Sequence, residues 1–279
     1  MGLKPNPFSL YDFLGYLTPG AIFLYGFMAA YGYAEPEANI FDYVASKLDI
    51  ERAEVYIPFV LAAYTIGHVL SFISSVTVER YSIWAFGYPS KYLLGLSHAG
   101  YYDKKMEKRC LRCVVRTVIA IILGPVSLPD WLLGEKVGLR DLYAKKLDKL
   151  LITALRGKID NLMSECTGKS KDYGTASEHD FFRYAYHYAV EHAPNHLPKM
   201  QNYVALYGFL RTLTLLSVIF FWWLFVHAVT GTFNFLQIIV FVSTSMTVCY
   251  VLFLAFVKFY RRFSLEALMA LAVSYKKPT

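Results

Sequence analysis

Apolar positions gather into four long stretches of this chain, at about 13–33, 55–78, 209–229 and 235–257. Each reaches the ~20 residues that an α-helix needs to cross the apolar layer of a bilayer, so each predicts a transmembrane helix. A different pattern fills the interval between the second and third. Lys104, Lys108, Arg112 and Arg116 recur every fourth residue and share one helical face. An apolar run at 118–126 follows, too short to span, with Pro125 inside it and Pro129 just beyond. A basic stripe leading into a short apolar run predicts an interfacial or re-entrant helix over about 104–126. Leu147, Leu150, Leu151, Leu155, Ile159 and Leu162 then recur at helical spacing and predict an amphipathic helix over 141–163. The polar stretch 167–177 reads as a loop, and 178–193 as a second helix stopped by Pro194. After the fourth stretch, Arg261 and Arg262 predict the end of the span, and 263–273 a separate short tail helix. No strand alternation persists.

The predicted fold is all-α: four transmembrane helices with a helical cytoplasmic domain between spans 2 and 3. It divides into a first transmembrane pair (1–80), a basic helical domain (81–203), and a second pair with its tail (204–279).

Composition agrees with a membrane class. The chain is 56% hydrophobic and 18% charged, where soluble domains carry about 25% charged residues. The net charge of +7 does not mark a nucleic-acid binder, because cytoplasmic loops of membrane proteins collect Lys and Arg. The loop at 34–54 holds six acidic residues against Lys47 and Arg52, whereas 79–203 holds 19 basic against 13 acidic. Lys258, Arg261, Arg262, Lys276 and Lys277 follow the last span. One orientation fits: both termini and the middle segment cytoplasmic, in a bacterial inner (plasma) membrane. The first apolar run is too long for a signal-peptide core and is expected to be retained.

Two patterns inside the spans carry candidate roles. Ala63, Gly67, Ser71 and Ser75 recur every four residues, and small residues at that spacing let helix backbones approach closely in lipid. His68, with Thr65, Ser71 and Ser75 beside it, and the hydroxyl run from Ser243 to Thr247 in the fourth span, place polar groups where lipid makes them costly. These residues are candidates to line a polar path. Lys104, Lys108, Arg112 and Arg116 are candidates to meet anionic lipid or a polyanion.

Chemistry is thinner. Cys110 and Cys113 form a lone CxxC, Cys166 stands alone, and Cys249 lies within a span; no disulfide framework is expected on a reducing side of the membrane. The cluster from Glu178 to His192 is the densest in titratable groups. His187 and Glu191 stand one turn apart, with His192 adjacent, and form the alternative catalytic site. No phosphate-binding glycine loop, nucleophile elbow or kinase signature occurs. No metal and no cofactor are expected.

The segments Asp12-Phe-Leu-Gly-Tyr-Leu-Thr-Pro-Gly20, Ile66-Gly-His68, Ser74-Ser75, Glu79-Arg80 and Gly87-Tyr-Pro-Ser90 resemble a group of small bacterial membrane proteins with no assigned chemistry. The whole architecture resembles membrane effectors of bacterial antiviral systems, which depolarise or permeabilise the membrane when triggered. That resemblance implies an oligomer in the bilayer that forms or gates a pore, with the cytoplasmic domain taking a protein or nucleotide trigger. Direct nucleic-acid binding is not expected. The alternatives are a membrane-bound enzyme using the Glu178 to His192 cluster and a non-catalytic anchor for a partner.

Overall fold

A computed structural model of the 279-residue chain describes residues 12–34, 52–96, 101–102, 110–167, 180–231 and 234–276. Among these residues the regular structure is entirely helical. Four helical segments are long and apolar enough to cross a membrane, and a bent helix pair raises the number to as many as five.

The first span is α1 (Thr18–Ala34), entered through a π turn at Phe13–Leu17. The second is α2 (Arg52–Ser74), extended by a π turn at Ser75–Glu79 and then by α3 (Arg80–Phe86). α1 and α2 pack with almost no separation. A Cβ on Gly20 would overlap the Ala63 carbonyl, and one on Gly67 would overlap the carbonyl of Tyr16. Only glycine lets the two backbones meet there, so part of the four-residue stripe is a backbone-to-backbone seam.

Gly87, with φ of 82°, turns the chain out of α3 into the short α4 (Pro89–Leu93). α5 (Cys110–Ile122) follows, then α6 (Gly124–Pro129), which continues as a π turn at Asp130–Lys136. The two arms meet at 89°. Leu123 interrupts the helix, with Pro125 in the first turn beyond it, where a missing N–H costs least. The single interfacial helix predicted over about 104–126 is thus, in its described part, broken at Leu123 into the first arm of an elbow and the opening turn of the second; Lys104 and Lys108 lie outside the described residues. α7 (Arg140–Tyr143) and α8 (Lys149–Thr167) replace the single helix predicted over 141–163, and α9 (Phe181–His192) precedes a 3-10 turn at Pro194–His196.

The third span is α10 (Leu197–Thr230) and the fourth is α11 (Phe235–Ser274). α11 opens with a capping box, in which the Asn234 side chain accepts the backbone N–H of Gln237 and the Gln237 side chain accepts that of Asn234. The separate tail helix expected at 263–273 is absent: α11 runs unbroken for 40 residues. Lys258, Arg261 and Arg262 end the apolar stretch, but Lys and Arg are good helix formers, and no Gly or Pro interrupts 235–274. Charge stops a helix from lying in lipid and does not stop it from being a helix.

α10 and α11 pack along most of their length, and α10 also touches α1 and α2. A first core joins Leu215, Phe221, Cys249, Phe253 and Phe256 of this hairpin to Val78, Tyr81 and Phe86. A second core surrounds the far end of α11: Leu268 and Leu271 pack with Leu93, Leu155, Ile159 and Phe181. α4, α8 and α9 therefore form a lobe built directly on the continuation of the fourth span.

Candidate functional site

Three features surround the region where the spans pass into the lobe. The first is a polar network. The Arg211 guanidinium makes an ion pair with Glu79, and its Nε donates to Ser74 Oγ at 3.0 Å. A third guanidinium nitrogen donates to Ser71 Oγ at 3.1 Å and to the Ser71 carbonyl at 3.2 Å. Tyr260 donates to the other Glu79 oxygen at 3.4 Å, and the Ser74 and Thr212 hydroxyls lie 3.4 Å apart. The pair is largely shielded, with side-chain exposures of 11% for Arg211 and 21% for Glu79. The charge pair thus joins the second and third spans, and the Tyr260 hydroxyl brings the fourth into the same network. The π turn at Ser75–Glu79 lies in this network. A π turn carries an extra residue, so side chains beyond it are rotated away from the stripe before it.

The second feature is the elbow. Trp222 of α10 donates its indole N–H to the Ile122 carbonyl at 2.8 Å, at the break between the arms. Trp222 lies about 16 Å along α10 from Arg211, taking ~1.5 Å per residue. This is about half of a ~30 Å apolar layer. Both arms return to α3: on the first, the Arg116 guanidinium lies 4.9 Å from the Trp84 ring centre, and on the second Asp130 meets Tyr81; beyond the arms, the Arg140 guanidinium of α7 lies 4.9 Å from the Phe86 ring centre. Asp130 follows in the π turn at 0% exposure. It accepts from Arg140 at 2.8 Å, Tyr81 at 3.1 Å and Tyr143 at 3.3 Å. Burial alone would lower the Arg140 pKa, but the hydrogen bond and charge of Asp130 more than offset it and hold the guanidinium above its ordinary value. Burial, then the neighbouring Tyr250 hydroxyl and the Asp130 charge, push the Tyr143 phenol up. Asp130 is a buried charge with a full set of partners, the form in which such charges persist.

The third feature is a pocket of about 500 Å³ between α4, α9, α10 and α11. Phe182, Tyr186, Tyr207 and Phe263 supply rings, and Lys91, Arg183 and Asp180 supply charge.

The sequence-derived candidates fall as follows. Ala63 and Gly67 are buried against α1, while Ser71 faces Arg211. Ser75 donates back to the Phe72 carbonyl at 2.7 Å. His68 is exposed on the surface of the single chain and stacks on Tyr16, with ring centres 3.8 Å apart. Thr65, Ser243 and Thr247 are also exposed, each bonded to a carbonyl of its own helix. α11 packs chiefly along α10, whereas His68 faces α1, so the two polar groups do not meet within one chain. Arg112 is exposed, but Arg116 is engaged with Tyr101 and Trp84. His187 and Glu191 lie exposed on α9, and His192 stacks on Tyr188 at 4.1 Å. Among the described residues no three His, Cys, Asp or Glu side chains gather as a metal site; Glu178 and His179 lie outside them.

Sequence reading missed both charge pairs. Arg211 reads as a boundary residue that can snorkel, and Asp130 carries no candidate role. The available signal was that each sits beside apolar sequence that offers no water. The chain matches no protein-family model, no curated protein and no solved structure.

Proposed function

We propose that this protein is an oligomeric effector of a bacterial plasma membrane, in which a trigger received by the α4, α8 and α9 lobe changes span packing and opens the membrane to ions. One observation carries the reading: α11 is a single helix from the fourth span into the core of the lobe. A packed helix moves as a rigid element, so a shift of the lobe reaches the bilayer without an intervening hinge. The Arg211 and Glu79 pair ties α2 to the same hairpin, so the first pair of spans follows.

Assembly is supported by the polar groups left on the surface. His68, Thr65, Ser243 and Thr247 would face lipid in a lone chain, where such groups are unfavourable. A second copy covering them removes that cost and gives a path lined by more than one protomer. The elbow, with Arg116 of one arm over Trp84 and Asp130 of the other accepting from Tyr81, returns to α3 on both sides, which supports a re-entrant helical hairpin dipping to mid-membrane rather than a fifth crossing. The lobe and both termini are then cytoplasmic.

The test is a membrane-potential dye in bacteria expressing the protein, with and without phage challenge. Depolarisation that disappears in His68→Leu, at equal membrane insertion, is the expected result. An unchanged potential under both conditions, with the protein correctly inserted, rejects the effector reading and leaves the anchor.

A further inference from the structure

Resting on the re-entrant placement of the elbow, we infer that the cleft between its arms and α3 takes one acyl chain of a phospholipid from the cytoplasmic leaflet. The cleft has a volume of about 550 Å³, within the range of small-molecule sites. Ala120 lines it from the first arm, Ser127, Leu128 and Trp131 from the second, and Tyr81 and Ala85 from α3.

The tip of the elbow is built to lie in hydrocarbon. A helix end leaves carbonyls without partners, and lipid supplies none. Here the Ile119 carbonyl accepts the Leu123 N–H at 2.9 Å, that of Ala120 accepts the Ser127 hydroxyl at 2.8 Å, and that of Ile122 accepts the Trp222 indole at 2.8 Å. Val118, Ile121 and Leu132, off the lining, are exposed on the outside of the arms. Leu128 and Trp131, 55% and 50% exposed, belong both to that apolar surface and to the cleft. The cleft is therefore continuous with the surface that the bilayer covers.

The lining selects a hydrocarbon chain. The Tyr81 hydroxyl donates to Asp130 at 3.1 Å, that of Tyr101 to the Arg116 carbonyl at 2.7 Å, and that of Ser127 to the Ala120 carbonyl. Arg140 is held by Asp130 at 2.8 Å and by Glu135 at 3.8 Å. These lining groups are committed within the protein, and what they present to the cleft is ring and hydrocarbon. A sugar or a peptide would leave its own polar groups unpaired against them, whereas a methylene chain has none to lose. Glu135 stands 12 positions past Leu123, about 18 Å at an α-helical rise. That distance carries a chain from the tip to the leaflet surface, where its headgroup stays.

Both walls are joined to spans. Trp222 fixes the tip to α10, and α3 continues α2 through the π turn at Ser75–Glu79. The seated chain therefore sets the distance between the elbow and the second span, and makes span packing responsive to the lipid chains around it.

The experiment is photo-labelling of the full-length protein in vesicles of phosphatidylethanolamine and phosphatidylglycerol, with a diazirine in one acyl chain of the phosphatidylethanolamine. Labelled residues are mapped by mass spectrometry. Tyr81 and Ala85 are 5% and 4% exposed, so a chain reaches them only through the cleft. Label at both α3 and the outward Ile121 is the expected result. Ala120→Phe, which fills the cleft, should lower the α3 label about fivefold or more and leave that at Ile121 unchanged. Leu128→Trp narrows the mouth from an exposed position and should do the same; it decides the matter if thermal unfolding shows that Ala120→Phe does not fold. Label at Ile121 without label at α3 overturns the proposal alone, and so does undiminished α3 label in a folded variant. Label at neither place rejects the re-entrant placement and the proposal with it. Label at α3 from a diazirine-bearing fatty acid but not from the phospholipid also overturns it. Label at α3 with no depolarisation in the dye assay keeps the cleft and rejects only the effector reading.

Discussion

Arg211 and Glu79, 132 positions apart in the chain, form an ion pair that closes the second span onto the third. Arg211 uses its whole fork: Glu79 on one nitrogen, Ser74 on another and Ser71 on the third. Removing one member strands a shielded charge. Glu79→Gln should therefore lower stability by roughly 3 kcal/mol. Arg211→Lys should not rescue it, because an ammonium cannot hold three separated partners in one plane. Thermal unfolding in detergent reads both. Wild-type stability in Arg211→Lys would mean that the charge alone matters.

The seam between α1 and α2 predicts an asymmetry on one helix. Gly67→Leu places a side chain into the backbone at Tyr16 and should separate the spans or prevent insertion. Phe72 is 68% exposed, so Phe72→Ala should cost little in the isolated protomer. Leu70, which reads as off the small-residue stripe, is buried in the core, and Leu70→Ala should cost about 2–5 kcal/mol. Cross-linking with a short bifunctional reagent between cysteines introduced at Tyr25 and Phe59, whose ring centres lie 5.0 Å apart across the two helices, followed in the three variants, measures whether the pair still forms.

Trp222→Phe keeps the ring beside Gly124 and deletes the N–H that satisfies the Ile122 carbonyl. The expected loss is about 1 kcal/mol in global stability. Hydrogen exchange should quicken over 119–127 and stay unchanged at the far end of α11. Equal protection in the two proteins would show that the elbow does not depend on the tryptophan.

Orientation follows from the Lys and Arg asymmetry. A reporter fused after Thr279 should be active in the cytoplasm, and one inserted in the 34–54 loop should be active outside. Reversed labelling would place the lobe and its pocket outside the cell, where a cytoplasmic trigger has no access.

Several elements are legible in the residues. The four spans follow from local composition because each is long, apolar and independent of its neighbours. The close approach at Ala63 and Gly67 is legible for a similar reason: small residues at a helical period leave a groove whatever fills it. The break near Pro125 is also local, since a proline removes a donor at a known position. The end of the fourth helix is not legible from Arg261 and Arg262, because those residues report on lipid and not on helix continuity.

Local composition sets which segments leave water, and periodicity sets which faces are small or basic. Which distant groups meet is set by how the helices pack. Glu79 finds Arg211 and Asp130 finds Arg140 because helices joined by long connections pack side by side. The rings of Phe182 and Tyr186 join that of Phe263 because the lobe folds onto the continuation of α11. The physical reason is range. Burial and helix propensity act within a few turns of chain and leave a periodic trace, whereas a charge pair or a ring cluster depends on the crossing of helices and leaves none.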